Sequence, residues 1–98
     1  MVIQLDEAVH SFMDEKGKET LTLLLRRSGG GWCGAIEVPD VELRVPAAPN
    51  EYNKFEVEGK TVYVHKRVKA VNSGLKFRIR KVFFVRSVIV EGLLTAGM

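Results

Sequence analysis

The spacing of apolar residues is helical only near the start of the chain. Four apolar residues fall on one helical stripe: Ala8, Val9, Phe12 and Met13. Asp6 can cap such a helix, and Gly17 can end it because glycine tolerates the left-handed backbone found at helix ends. We therefore predict a short N-terminal helix that runs to about Lys16.

After this helix the apolar pattern becomes alternating or continuous, as is typical of β-strands. Thr20–Arg27 is the first predicted strand, and its three successive leucines indicate burial on both faces. A second strand is predicted over Ala35–Val38, with a turn at Pro39–Asp40. Val41–Val45 then alternates as a half-buried strand that Pro46 stops.

The clearest hairpin in the sequence turns at Glu58–Gly59. A two-residue turn there pairs Phe55 with Val62 and Val57 with Lys60. The apolar residues of the two arms then share one face, so we expect this face to contact the core.

The C-terminal part continues the strand pattern after a break at Asn72–Gly74. Apolar and basic residues alternate along one strand: Leu75, Lys76, Phe77, Arg78, Ile79 and Arg80. Val82–Val85 and Val88–Val90 are predicted to complete the core as near-continuous apolar strands. One helix and about seven strands give an α+β fold class, mostly β, in a single domain of residues 1–98.

Composition changes this picture little. The chain has 98 residues, 46% hydrophobic and 28% charged, as in an ordinary soluble protein. Its apolar runs are too short to cross a bilayer, so no membrane partner is expected. The acidic start does not resemble a signal peptide, and one cysteine cannot form an intrachain disulfide. These features predict a cytoplasmic protein.

The net charge of +3 is unevenly distributed. Eight basic residues and no acidic residue lie between Lys66 and Val90. The basic strand face of Lys76, Arg78 and Arg80 could meet an acidic protein or nucleic acid. Stacking aromatic side chains are missing from that face, because Phe77 is predicted to face the other way. A solvated sheet face is therefore the favoured interpretation, and nucleic acid is an unfavoured partner.

The most distinctive segment follows Arg26 and Arg27. It runs Ser28-Gly29-Gly30-Gly31-Trp32-Cys33-Gly34 and holds the only cysteine and the only tryptophan. Successive glycines allow sharp turns and a close approach of the backbone to a ligand. The glycines also spell G-x-G-x-x-G, but a dinucleotide site needs a helix to start there, and a strand pattern follows instead.

Cys33 has two open interpretations. Arg26 and Arg27 could lower the pKa of an exposed thiol, or the cysteine could be a small buried residue. With His10 and His65 as the only other soft ligands, one chain cannot close a zinc site of the usual kind, although two chains could share a metal or cluster. His65 is a conceivable catalytic partner of the thiol.

Trp32 also has two interpretations. It could cover the edge of the core, which we favour, or stand exposed as an anchor for a partner.

The order of these elements resembles the HesB-like family of A-type iron–sulfur carriers. The resemblance rests on the capped helix after Leu5, the glycine loop with Cys33, and the hairpin Phe55–Val64. It implies a compact, twisted mixed sheet or pseudo-barrel and a role in iron–sulfur assembly. Cys33 matches the first of the family's three cysteines. The other two have no counterpart in this sequence, so the usual three-thiol carrier activity is not implied.

A related branch carries Cys-Cys or selenocysteine-Cys in this loop, where the present chain has Trp32-Cys33. Because the selenocysteine codon is one base from the tryptophan codon, we hypothesise that Trp32 stands where selenocysteine would in the natural gene. The resulting cofactor-binding set is Gly29, Gly30, Gly31, Trp32, Cys33 and Gly34, with Cys33 as metal ligand.

These residues predict a small cytoplasmic protein that handles iron–sulfur clusters or thiols, with a non-enzymatic role favoured over an enzymatic one. Its expected partners are a second copy that shares iron or a cluster, and iron–sulfur assembly or acceptor proteins. The alternative is a binding module that uses the basic sheet face.

Overall fold

The fold is taken from a computed structural model that describes residues 2–29, 35–70 and 74–93; the side chains of residues 27–29 and 35–37 are outside the description. One helix, α1, spans Glu7–Lys16. The strands are β1 Ile3–Leu5, β2 Thr20–Gly29, β3 Ala35–Glu42, β4 Tyr52–Val57, β5 Lys60–His65, β6 Leu75–Val82 and β7 Val85–Glu91, with a 3-10 turn at Pro49–Glu51 before β4.

The described strands form two open sheets. One has the order β1-β6-β7, and the other has the order β3-β2-β5-β4. Each sheet is mixed, because β1 runs parallel to β6 and β2 runs parallel to β5 while the remaining pairs are antiparallel. The predicted α+β, mostly β class with one short helix and mixed sheets is confirmed. These strands do not close into the pseudo-barrel that the family resemblance implied as an alternative to a twisted mixed sheet.

The helix follows the sequence prediction closely. Asp6 occupies the N-cap position, where its backbone carbonyl accepts hydrogen bonds from the N–H groups of Val9 and His10. Gly17 ends the helix with φ = +68°, and its N–H donates to backbone carbonyls of the last turn. Val9, Phe12 and Met13 of the predicted apolar stripe are buried, whereas Ala8 is exposed. The side chain of Asp6 makes no capping hydrogen bond.

The core lies where α1 and the inner faces of both sheets meet. Its most deeply buried residues come from the helix and from three strands: Val9, Met13, Leu21, Leu23, Val62, Val64, Leu75 and Phe77. The leucines of β2 are less evenly buried than predicted. Leu23 is fully buried, whereas Leu24 and Leu25 are half-buried, so the second face of β2 is only partly covered.

The β4–β5 hairpin has the predicted register. Phe55 pairs with Val62 and Val57 with Lys60. Glu58 and Gly59 form the turn with φ values of +48° and +82°, and two positive φ values are typical of the type I′ turn that suits the twist of a hairpin.

The predicted turn at Pro39–Asp40 is wrong. β3 runs through both residues, with Leu25 opposite Pro39 and Leu24 opposite Asp40. β3 lies at the edge of its sheet, where a proline can be accommodated because one side of the strand needs no hydrogen-bond donor. The two strands predicted for Ala35–Val45 are therefore one strand that ends at Glu42.

The predicted burial of Val82–Val85 is also wrong. Phe83 and Phe84 form the two-residue turn of the β6–β7 hairpin, and Val82 and Val85 are the strand pair that flanks it. Phe83 and Phe84 are 88% and 96% exposed. The register that buries Phe77 and Ile79 carries the hairpin past the end of the core, so its last apolar residues have nothing to pack against.

The N-terminal strand depends on a close backbone approach. The backbone N–H of Leu75 donates to the carbonyl oxygen of Val2 at 2.8 Å. Gly74 precedes it with φ = +90°, and a Cβ atom there would collide with the same carbonyl group. A glycine is therefore required where β1 joins β6.

None of the helices in the described parts of the chain is long and apolar enough to cross a membrane.

Candidate functional site

The glycine loop connects the arms of the β2–β3 hairpin. Gly29 and Ala35 form its last register pair. The other five predicted site residues, Gly30, Gly31, Trp32, Cys33 and Gly34, lie outside the described residues. The structure therefore places the two ends of the loop side by side, at the end of the β2–β3 hairpin.

The arms that carry the loop form a two-stranded ribbon. β5 pairs with β2 only from Thr20 to Leu23, whereas β3 pairs with β2 up to Gly29. From Leu24 onward, β3 is the only described strand paired with β2. At about 3.3 Å per residue, the six residues from Leu24 to Gly29 carry the start of the loop roughly 20 Å from the last β5 pair.

Arg26 lies on this ribbon and is held by acidic residues. Its Nε and Nη2 atoms lie 2.8 and 2.7 Å from Oδ2 of Asp40, and Nη2 lies 3.4 Å from Oε1 of Glu42. The hydrogen bond and the charge of Asp40 raise the pKa of the Arg26 guanidinium above its ordinary value. Asp40 lies opposite Leu24, two positions farther from the loop than Arg26, so these contacts hold the guanidinium toward the base of the ribbon.

Arg27, the second predicted tuning residue, lies opposite Glu37 in the hairpin register. Its side chain is outside the described atoms, so its predicted role stays a prediction.

The comparison with protein families gave a match that covers nearly the whole chain. A family model described as the CC/Se motif containing family matches residues 1–93. The chain belongs to this family. The prediction of a branch with a Cys-Cys or selenocysteine-Cys motif is supported at this level, and the match does not carry the HesB-like part. The searches of curated proteins and of solved structures gave no match.

The two histidines of this CC/Se motif family member lie away from the ends of the loop. Nε2 of His10 is 2.9 Å from Oε2 of Glu58, although the ring N–H is not aligned for a hydrogen bond. Glu58 is in the β4–β5 turn, which lies at the opposite end of the sheet from Gly29 because β5 runs parallel to β2. The described atoms therefore do not place His10 beside the loop.

His65 lies at the end of β5, one position after the last pair with β2. Its ring packs edge-on against Tyr52 with centroids 5.0 Å apart, and Nδ1 accepts a hydrogen bond from the N–H of Arg67 at 3.2 Å. Both contacts fix it near the base of the β2–β3 ribbon. In the described part of the chain, no group of three His, Cys, Asp or Glu side chains is arranged to hold a metal ion.

A pocket of about 200 Å³ lies on the outer face of the four-stranded sheet. Glu42, Arg44 and Tyr52 contribute its polar groups, and Thr22 and Leu24 line its floor. Burial raises the pKa of the Tyr52 hydroxyl above its ordinary value, and the charges of Glu51 and Glu42 act in the same direction. Glu42 also contacts Arg26, so the pocket and the ribbon share one chain of ion pairs.

A larger, open cleft of about 520 Å³ lies near the helix C-terminus. Its walls come from the segment after the helix, including Lys18 and Glu19, and from Leu43, Arg44 and Val45.

The sequence prediction missed the turn of the β6–β7 hairpin as a surface feature. We call Val82, Phe83, Phe84 and Val85 the hydrophobic tip. The signal was present in the alternation: the inward positions of the two arms change from Ile79 and Val88 to Lys81 and Arg86. Charged residues at inward positions indicate that the arms have passed the core, so the apolar residues beyond them are exposed.

Proposed function

We propose that this protein handles thiol redox chemistry or iron–sulfur clusters in the cytoplasm through Cys33, and that it is not itself an enzyme. The observation that carries the proposal is the family match, because the family is described by a CC/Se motif and this chain has one cysteine, located in the glycine loop. The position of the loop supports it: Gly29 and Ala35 hold its ends together at the far end of a two-stranded ribbon.

A single thiol sets the chemistry that Cys33 can perform. Its thiolate can attack one sulfur of a partner's disulfide, forming a mixed disulfide while the other sulfur leaves as a thiolate. A second thiol from the partner must then attack the partner's own sulfur in the mixed disulfide, which forms a new partner disulfide and expels Cys33 as a thiolate, because Trp32 occupies the neighbouring motif position and offers no thiol. The partner therefore supplies both the oxidising disulfide and the resolving thiol.

The first test of this proposal is the alkylation rate of Cys33 as a function of pH. We expect faster labelling than that of free cysteine at neutral pH, because a reactive thiol needs exposure and a lowered pKa. The Asp40→Asn variant releases Arg26 from its stronger ion pair, whereas Arg26→Met removes the positive charge. If Arg26 tunes the thiol, these two variants shift the labelling pKa in opposite directions. Slow labelling of the wild type, limited by unfolding, would count against the proposal.

The iron–sulfur version of the proposal, which includes the HesB-like relationship, requires two chains. The usual clusters have four thiolate ligands, so two Cys33 residues would supply two of them and other groups, such as an added thiol, would have to supply the rest. Anaerobic incubation with iron and sulfide should then give a charge-transfer absorbance band and a dimer in the wild type, and neither in Cys33→Ser. A colourless wild type with a reactive thiol would leave only the redox version.

The role of Trp32 can be tested at the gene and in the protein. A selenocysteine codon at position 32 of the natural gene would establish the hypothesis, and an ordinary tryptophan codon would end it. In the protein, Trp32→Cys should create a dithiol that mild oxidants convert to a disulfide. The Trp32→Cys/Cys33→Ser variant is the matched control with one thiol, and should form only intermolecular disulfides.

The second candidate function is a binding module based on the basic face of β6. Lys76, Arg78 and Arg80 are exposed on that face, which favours an acidic protein as partner. Nη1 of Arg78 lies 3.0 Å from Oε1 of Glu91, so part of the positive charge of this face is neutralised. Nucleic acid is therefore the less favoured partner. Reversing Arg78 and Arg80 to Glu should abolish salt-dependent association with an acidic partner and leave Cys33 chemistry unchanged.

A further inference from the structure

The hydrophobic tip is the most exposed apolar cluster in the described chain. Phe83 and Phe84 are 88% and 96% exposed, and Val85 is 68% exposed. Two phenylalanine side chains carry about 400 Å² of surface, which is the size of the largest apolar patch on a typical monomer, and such patches are often functional.

The turn that presents these rings is conformationally strained. Phe83 has φ = +56°, whereas the φ of Phe84 is negative. A positive φ at the first central residue alone is the pattern of a type II′ turn, which normally places glycine there. A bulky residue in that region is costly, and such costs are concentrated at functional positions.

The charges beside the tip have one sign. The β6–β7 hairpin carries five basic residues and no acidic residue from Leu75 to Val90. Lys81 lies opposite Arg86, and Arg86 is neutralised by Glu15 at 2.7 Å. Within the described residues, Arg80 and Lys81 have no ion-pair partner, so they form a positive collar next to the exposed rings.

The surface area of the hydrophobic tip and the charge beside it together indicate what kind of partner covers it. A standard protein interface buries roughly 800 Å² on each partner, about twice what the two rings offer. A second copy docked tip to tip would bring both positive collars together. A membrane interface requires no matching pocket, accepts aromatic rings at headgroup depth, and is attracted to basic residues when its lipids are anionic.

We propose that the hydrophobic tip inserts into the surface of an anionic lipid bilayer, with Arg80 and Lys81 contacting the headgroups. The contact is peripheral and does not involve a membrane-spanning segment. It is independent of Cys33 and brings the ribbon of β2 and β3 to the membrane as part of the same body.

Sedimentation with phosphatidylserine/phosphatidylcholine vesicles tests the proposal. We expect binding to these vesicles and little binding to pure phosphatidylcholine, with weakening as salt rises from about 0.1 M to about 0.5 M. The Phe83→Gly/Phe84→Ser variant keeps a sequence suited to the turn and should lose roughly a hundredfold in partitioning. Val45→Ser removes another exposed apolar side chain, 56% exposed, and should leave partitioning unchanged.

Charge reversal tests whether the positive collar, rather than the net positive charge of the whole protein, attracts the membrane. Lys81→Glu should weaken binding to anionic vesicles severalfold, since each basic residue near the surface contributes to the attraction. Lys54→Glu, on the other sheet, is the matched control and should have a much smaller effect.

A fluorescent probe reports insertion directly. In a Cys33→Ser background, a polarity-sensitive dye on Phe84→Cys should shift to the blue with anionic vesicles and be quenched by spin labels at headgroup depth. The same dye on Val45→Cys should remain in water.

The proposal is overturned if the wild type does not bind anionic vesicles, or if it binds while the dye at position 84 stays in water. It is also overturned if ultracentrifugation finds a dimer that the Phe83→Gly/Phe84→Ser variant loses, because a second copy would then cover the tip. None of these outcomes depends on thiol or cluster chemistry, so they do not bear on the proposed function.

Discussion

The β4–β5 and β6–β7 hairpins both turn on two residues, but they use opposite residue types. The first turn is Glu58–Gly59 and the second is Phe83–Phe84. In the first, Gly59 has φ = +82°, where glycine costs little, and Glu58 has φ = +48°. In the second, a phenylalanine occupies a position with φ = +56°, and its ring contributes almost no burial in return.

The two turns also differ in their attachment to the body. Glu58 contacts His10, and Lys60, the first residue after the turn, forms an ion pair with Asp14. The i, i+4 pair of the helix thus holds the β4–β5 turn in place. At the β6–β7 hairpin, Arg86 contacts the helix through Glu15 and the ring of Phe12, and the rings of the tip remain in solvent. Both turns hold a non-glycine residue at positive φ, but only the first has a side chain of the turn itself in contact with the helix.

The largest expected effect is at Gly59. A Cβ atom there meets nothing within 4 Å, so substitution tests the backbone alone. Gly59→Val should lower the free energy of unfolding by about 2 kcal/mol, because β-branched residues disfavour positive φ. Urea unfolding measures the loss. Gly59→Asn is the matched control and should lose less, since asparagine tolerates this region. An unchanged midpoint in the valine variant would contradict the positive φ.

The next effect concerns the ion pair behind the same turn. Lys60 is only 8% exposed, so removing its partner leaves a mostly buried ammonium group. Asp14→Ala should cost about 1–2 kcal/mol, less than a fully buried pair because the carboxylate is solvated. In the Asp14→Ala/Lys60→Met double variant, most of this loss should be recovered. Equal losses in the single and double variants would mean that the pair contributes little.

A smaller effect of opposite sign is expected at the hydrophobic tip. Phe83→Gly removes a positive-φ strain of about 1–2 kcal/mol but adds a glycine entropy cost of about 0.5–1 kcal/mol, so we expect a net gain of about 0.5 kcal/mol. Phe84→Gly is the matched control: its φ is already negative, so it should lose stability. Thermal unfolding of both variants decides the matter, and a loss in Phe83→Gly would contradict the strain.

The smallest effect is a pH dependence at the start of β4. Because burial raises the pKa of Tyr52 in the folded state, the unfolded state loses its proton first as pH rises above about 10. Stability from this group is therefore fully present below that pH and declines until the folded-state pKa is passed. Tyr52→Phe should remove this part of the decline in unfolding free energy between about pH 8 and about pH 11. Parallel curves for both proteins would show that Tyr52 is not involved.

The comparison also shows what the sequence could predict. The turn at Glu58–Gly59 and the helix ending at Gly17 were predictable because glycine has a specific backbone role at each. The β6–β7 turn was missed, because Phe83–Phe84 has no turn residue and its apolar run resembles a buried strand, although the charged inward positions Lys81 and Arg86 were a signal against burial. Pro39 led to a wrong prediction of a turn for a related reason. Whether a proline interrupts a strand depends on whether that strand lies at a sheet edge, which is a property of the whole sheet.

The candidate site was predictable only in part. Glycine content located the loop, and the register of β2 and β3 now fixes its ends at Gly29 and Ala35. The pairing of Arg26 with Asp40 could not be predicted, because the residues between them include the loop and their contact depends on the register. Arg26, the predicted tuning residue, thus contacts the carboxylates of Asp40 and Glu42, and the sequence pattern predicted neither contact.

The parallel pairing of β1 with β6 has a consequence for synthesis of the chain. Ile3 pairs with Leu75, so the first strand made waits for one of the last before its backbone groups are satisfied. Among the described strands, β6 is the only one hydrogen-bonded to β1, so β1 has no strand partner until β6 has been synthesised. The order of synthesis thus leaves the N-terminal strand open to other polypeptides until β6 emerges. A chaperone that recognises extended apolar segments would find this protein most accessible during that interval.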